Sequence, residues 1–163
     1  VEKSLCPSHG KLTLDGTYVV TGGTGGVGAT IVKWLIHNCS VSPAQVVILC
    51  RNPDGPSARR LLAQGAVVVQ LDCSDAAAIR DCPELARLSD VAGVFHLAGV
   101  LEDGLISTLS PDAVARVVQP KAGGALALLD RAATLGWNLD FWVNFSSSSS
   151  LLGYGGQGNY CAA

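Results

Sequence analysis

Residues 17–28, TYVVTGGTGGVG, decide how the rest of the chain folds. Thr17 to Thr21 are β-branched or aromatic, the composition of a strand. A glycine cluster follows: Gly22, Gly23, Thr24, Gly25, Gly26, Val27 and Gly28. Val27, Ile31, Trp34 and Leu35 then recur at i, i+4, i+7 and i+8, which predicts one buried face of a helix. Strand, glycine loop and amphipathic helix in this order make the opening unit of a dinucleotide-binding α/β fold. Gly23, Gly25 and Gly28 satisfy GxGxxG, and Thr21-Gly22, Gly26 and Gly28 satisfy TGxxxGxG. Glycine permits a tight turn and close approach of the backbone to a pyrophosphate, while the helix N-terminus offers free N–H groups and a positive dipole end. Thr21 and residues 22–28 are therefore the candidate phosphate-binding residues.

Beyond this unit, residues 45–50 (QVVILC), 66–71 (AVVVQL) and 92–97 (AGVFHL) are continuous apolar runs, and residues 139–145 (LDFWVNF) form a fifth strand. Continuous apolar strands predict burial on both faces of a parallel sheet. Helices are expected between them. Residues 57–64 end at Gly65, residues 74–88 are interrupted by Pro83, and residues 111–135 start after Ser110 as N-cap and are kinked or divided at Pro120. The alternation predicts a Rossmann-type, doubly wound parallel sheet over residues 16–163. Residues 1–15 read as a lead-in segment or linker.

Composition narrows the function classes. The 163 residues carry 15% charged and 48% hydrophobic residues and a net charge of −2. Disorder needs low hydrophobicity with high net charge, and nucleic-acid binding needs a basic surface, so neither is expected. No run of about 18 apolar residues is present, so no membrane span is expected. The cysteines Cys6, Cys39, Cys50, Cys73, Cys82 and Cys161 form no CxxC pair, so no metal site is expected and they read as small hydrophobes of a reducing compartment, the cytoplasm. The chain contains no Met. It reads as a segment of a longer protein, incomplete at its C-terminal side and inactive by itself.

The end of the second strand separates cofactors. An NAD-type site places Asp or Glu there, but this chain reads Cys50-Arg51-Asn52-Pro53. The Arg51 guanidinium can hold a 2′-phosphate, with Arg59 and Arg60 as helpers from the next helix, so NADPH is favoured over NADH. Asp72, ending the third strand, is a candidate adenine contact or a plain loop cap. Ala98 and Gly99 end the fourth strand and leave room for a ribose or nicotinamide. His96 reads as a structural strand-end residue rather than a proton carrier.

The stretches VVTGGTGGVG (19–28), ILCRNP (48–53), FHLAGVLEDGLI (95–106), VQPKAGG (118–124) and FSSSSSLLGYGGQGNY (145–160), with Ser147 thirteen positions before Tyr160, carry a narrower likeness. Together they resemble the ketoreductase domains of polyketide synthases and animal-type fatty acid synthases, in the short-chain dehydrogenase/reductase superfamily. The resemblance implies NADPH-dependent reduction of a β-ketoacyl thioester on an acyl carrier protein to the β-hydroxyacyl thioester, beside the other domains of a multidomain synthase. It makes Tyr160 the proton donor, Ser147 the hydrogen-bond donor to the substrate oxygen, and Lys121 the cation that contacts the cofactor ribose and eases proton release from Tyr160. Leu101-Glu102-Asp103 resembles the Leu-Asp-Asp signature of B-type domains, with Glu at the middle position, and Leu152 stands where A-type domains carry Trp. This implies a D-configured product. Two other readings stay open: a free-standing short-chain reductase of a small ketone or alcohol, and a non-catalytic nucleotide-binding or structural module.

Overall fold

The computed structural model describes residues 14–163, so most of the expected linker and Cys6 lie outside the described residues. Five parallel strands form one sheet in the order β3-β2-β1-β4-β5. They are β1 (Thr17–Thr21), β2 (Val46–Cys50), β3 (Val67–Gln70), β4 (Val91–His96) and β5 (Phe141–Asn144). The helices are α1 (Gly26–His37), α2 (Pro56–Ala63), α3 (Ala76–Asp81), α4 (Pro83–Ala86), α5 (Pro111–Val118), α6 (Gly124–Thr134), α7 (Ser149–Leu152) and α8 (Gly158–Ala162). The sheet is the doubly wound one expected from sequence. Chain order reverses between β1 and β4, and ligands of open α/β sheets bind at the strand ends beside such a reversal.

Side chains alternate faces along each strand, so a sheet covered on both sides needs apolar residues at every position. Tyr18 and Val20 of β1 join Ile48 and Phe95 under Val32 and Leu35 of α1 and Leu61 of α2. Val19 joins Val47, Leu49 and Val94 on the other face, under Ile79 of α3, Leu85 of α4 and Leu128 of α6. Every residue of β2 and β4 is buried. Truncating one of these fully buried leucines to Ala costs about 2–5 kcal/mol.

Three expectations need correction. The buried face of α1 is Gly28, Val32 and Leu35, whereas Val27 is 61% and Trp34 37% exposed. The cause is Gly28: with no side chain it seats the helix against Gly22 and Gly23, and this close approach rotates the buried face by about one residue. The third strand is not buried on both faces. It is an edge strand, its Val67 is 39% exposed, and only Val69 is buried. The fifth strand is shorter than the run 139–145, spanning only Phe141–Asn144, and Ser146 and Ser147 lie in the loop leading to α7.

The breakers act where expected. Ser110 Oγ accepts the Ala113 N–H at 3.1 Å and caps α5, with Pro111 in its first turn. Pro83 divides α3 from α4. Pro120, which has no N–H to donate, sits in a π-helical turn, Gln119–Gly123, between α5 and α6. Cys39, Cys50, Cys73 and Cys82 are buried and unbridged. Burial pushes the Cys73 thiol up to about 12, so it stays protonated and unreactive. Among the described residues no helix is long and apolar enough to cross a membrane.

Candidate functional site

The glycine loop bridges β1 to α1 at the reversal point. Gly22 has φ +66°, and a Cβ there would stand 2.9 Å from the Leu97 carbonyl. A Cβ on Gly23 would meet the Ile48 side chain at 2.9 Å. Nothing lies within 4 Å of a Cβ built on Gly26. The first turn of α1 holds no acidic residue, and Gly25 offers no side-chain cap. The opening N–H groups of α1 therefore have no side-chain cap.

A cavity of about 570 Å³ opens at the same end of the sheet, lined by Arg51, Asp72, Ser74, Gly99, Glu102 and Arg116 among others. Asp72 Oδ1 accepts from the backbone N–H of Ser74 at 2.9 Å and from its hydroxyl at 2.7 Å. These bonds outweigh partial burial and hold its carboxyl below the usual range. Asp72 is thus a loop cap that also faces the cavity. Arg59 lies 3.9 Å from Asp54 on the exposed surface, and neither it nor Arg60 lines the cavity.

Lys121 stands in the π-turn. Its Nζ donates to the Phe145 carbonyl at 2.7 Å and lies 5.6 Å from the centroid of the Tyr160 ring. Burial lowers its pKa from the ordinary lysine value. A Cβ on Gly99 would stand 3.9 Å from this ammonium, an ordinary contact, which places Gly99 beside Lys121. His96 is 2% exposed and bonds on both sides, to Thr21 Oγ1 at 2.9 Å and to the Lys121 carbonyl at 2.9 Å. Both ring nitrogens are thus engaged within the fold.

Ser147 Oγ accepts from the Ser149 hydroxyl at 2.8 Å and from the Ser149 N–H at 3.2 Å. With both acceptor positions used, its own O–H is left to donate outward. Ser150 donates instead to the Ser147 carbonyl at 2.7 Å, and Ser146 pairs with Ser150.

The loop 101–104 is fastened to the segment before Tyr160. Gln157 Nε2 donates to the two Asp103 carboxylate oxygens at 3.2 and 3.1 Å, and Gly104 N–H donates to the Gly156 carbonyl at 2.7 Å. Asn159, 3% exposed, donates to the Glu102 carbonyl at 2.8 Å and accepts the Tyr160 N–H at 2.9 Å. Arg116 of α5 donates to both Glu102 oxygens at 2.9 and 2.6 Å, which holds that carboxyl below the usual range. From sequence, Gln157 and Asn159 stand out only as part of a motif, and Ser149 and Arg116 do not stand out at all. Asn159 directly precedes Tyr160, a signal that was available; the Glu102–Arg116 pair joins a loop to a helix fourteen positions on and has no local signature.

The chain is similar to curated polyketide synthases. It is 42% identical over 161 residues to polyketide synthase GfsB of Streptomyces halstedii, covering 94% of this chain and 3% of that synthase. It is 34% identical over 165 residues to the 6-methylsalicylic acid synthase of Penicillium terrestre, covering 90% of this chain and 9% of that protein. The chain thus spans less than a tenth of the length of these relatives. Among solved structures, the ketoreductase from the first module of phoslactomycin biosynthesis in Streptomyces sp. HK803 superposes with a TM-score of 0.78 at 32% identity, over 96% of this chain and 37% of that one. An A1-type ketoreductase superposes with a TM-score of 0.78 at 29% identity, over 99% of this chain and 35% of that one. The KR domain family matches residues 16–163, from the start of β1 through the Tyr160 helix, and the chain belongs to this family of ketoreductases within the short-chain dehydrogenase/reductase superfamily.

Proposed function

We propose that this chain carries the reducing centre for a β-ketoacyl thioester borne by an acyl carrier protein, within a cytoplasmic multidomain polyketide or fatty acid synthase. The observation that carries the reading is the convergence of Lys121, Tyr160 and the Ser147 loop beside the glycine loop, at the reversal point of the sheet.

The residues fit a phosphorylated dinucleotide. Gly26 leaves a space that any side chain would fill, and α1 presents uncapped N–H groups to it. Arg51 is exposed on the adjoining cavity and supplies the cation for a 2′-phosphate, which favours NADPH; Asp72 and Gly99 line the same cavity, with Ala98 just before Gly99. Bound NADPH supplies the hydride. The protein supplies orientation and the proton.

Ser147 directs its free O–H at the substrate carbonyl and stabilises the oxygen as negative charge develops, a contribution of about 2–4 kcal/mol for a well-placed donor. Tyr160 gives that oxygen its proton. The proton passes from the phenol to the alkoxide as the hydride arrives, and the phenolate stays behind. The Lys121 ammonium beside the ring favours the phenolate left behind. Its bond to the Phe145 carbonyl fixes it relative to β5, the strand that leads to Ser147.

The loop Leu101-Glu102-Asp103 sits at the substrate side and supports a D-configured β-hydroxy product. In the full-length protein, Tyr160→Phe should lose at least about 100-fold in reduction of a β-ketoacyl thioester, the size of a missing general acid, while NADPH still binds. Undiminished turnover rejects the mechanism, and an L-configured product rejects the assignment of the loop.

A further inference from the structure

We propose that His96 is a positioning residue for the reduction. As a neutral imidazole with its proton on Nε2, it holds the Lys121 carbonyl, thereby sets the Lys121 ammonium beside Tyr160, and ties that position through Thr21 to the glycine loop. The proposal rests on the reductase reading above.

The location of the proton follows from the partners. The Lys121 carbonyl can only accept, so Nε2 donates to it, at 2.9 Å. Thr21 Oγ1 accepts the Leu97 N–H at 3.1 Å and the Ala98 N–H at 2.9 Å, which fills its acceptor positions. What remains is its own proton, given to Nδ1 at 2.9 Å. The two side chains form a continuous, fully satisfied relay from the backbone of residues 97–98 to Lys121.

The carbonyl at its far end needs such an anchor. Lys121 follows Pro120 inside a π-turn, where the Gly124 N–H is shared between the carbonyls of Gln119 and Lys121. A regular i→i−4 ladder does not fix this backbone. Its side chain reaches one defined acceptor, the Phe145 carbonyl, so a small shift of the turn moves the ammonium away from the Tyr160 ring. At the near end, Thr21 immediately precedes Gly22, whose Cβ position abuts the Leu97 carbonyl. The same relay therefore registers the glycine loop against the lysine.

A protonated ring cannot do this. Its Nδ1–H would face a hydroxyl oxygen already used twice as an acceptor. It would also place a second cation beside Lys121, the charged group that acts on His96 from the π-turn. Thr21 faces it from β1, and Asn144, Phe145 and Ser146 line the small cavity it shares with Lys121; none of these side chains titrates. Burial lowers the His96 pKa, in keeping with the neutral ring.

The test uses the full-length protein, a β-ketoacyl thioester and NADPH. His96→Phe keeps the ring and removes both bonds. It should lower kcat by about tenfold or more, because a displaced catalytic group loses orientation. It should leave the KM for the thioester within about twofold, because the loss lies in orienting the catalytic group and not in holding the substrate. His96→Gln, whose amide N–H can reach the Lys121 carbonyl, should recover most of the rate. In the unaltered protein, the histidine ¹⁵N resonances near pH 7 should show Nε2 protonated and Nδ1 bare. This holds as a readout even if His96→Phe does not fold. Unchanged kcat in His96→Phe, no recovery in His96→Gln, an imidazolium, or a proton on Nδ1 each overturns the role. Unaltered protein that oxidises no NADPH with such thioesters overturns the reductase reading and the role with it. Active protein with an indifferent His96→Phe overturns the role alone.

Discussion

Gly26 and Gly28 stand two positions apart in the glycine loop, and a methyl group added at each meets different surroundings. At Gly28 it would collide with the Gly22 carbonyl and lie 2.7 Å from Gly23 Cα, both rigid backbone. At Gly26 it would meet nothing within 4 Å. Gly28→Ala should therefore destabilise the fold by about 1–3 kcal/mol, as overpacking does. Gly26→Ala should leave stability unchanged, or raise it by up to about 1 kcal/mol through helix propensity, yet weaken NADPH binding. Denaturant unfolding and a fluorescence titration of the cofactor separate the two; equal effects of both on unfolding would contradict the geometry. Arg51 makes the complementary case for charge. Its side chain is exposed at the cavity rim, so Arg51→Ala should spare folding. The variant should raise the KM for NADPH by about tenfold or more and change that for NADH little, the loss of one charge-assisted contact. The positions of the glycines and of Arg51 at the strand ends were legible from spacing, because a glycine loop and a strand-end charge are local features of the sequence. Ser147 was picked out by spacing alone, and the bonds its Oγ accepts from Ser149 were not legible.

Among the elements, the π-turn and the clamped loop do what no single residue does. Pro120 announced a break in the long helix of residues 111–135, and the break is there. That it takes the form of a π-turn presenting Lys121 was not legible, since a proline signals a lost N–H and not the geometry that compensates for it. The clamp between residues 101–104 and 156–159 was likewise invisible. Its bonds join a loop to a short helix more than fifty positions away, and no periodicity records such a pairing. Asn159 is its buried hub. Asn159→Ala would strand the Glu102 carbonyl and the Tyr160 N–H, so stability should fall by about 1–3 kcal/mol. The kcat should fall with it, because the same residue fixes the start of the Tyr160 helix. Stability and turnover measured on one preparation check this; full activity would remove Asn159 from the site. The buried face of α1 shows the same limit. Its helix was legible from periodicity, but its rotation was set by how closely Gly28 approaches the loop.

Across the molecule, several large apolar side chains stay exposed. Ile106 is 83% exposed, Leu151 88%, Leu152 84% and Tyr154 69%. Exposed apolar surface favours association. The 163 residues expressed by themselves should therefore self-associate. Analytical ultracentrifugation checks this, and a monodisperse sample at high concentration would contradict it.

Residue order alone dictates the architecture and the chemistry of single positions. Continuous apolar strands separated by helices allow only a parallel sheet covered on both faces, and the glycine loop places its phosphate-binding end. Ser147, Tyr160 and Lys121 were singled out through spacing and family likeness, and Lys121 and Tyr160 lie side by side in the structure. Which residues hold them in place is settled only by tertiary packing. His96 to the Lys121 carbonyl, Asn159 to the Glu102 carbonyl, and Arg116 to Glu102 are all long-range bonds. Such bonds exist only once the sheet order brings β1 beside β4 and the loops at their ends together. Local propensity records what a residue prefers; it does not record what that residue will meet.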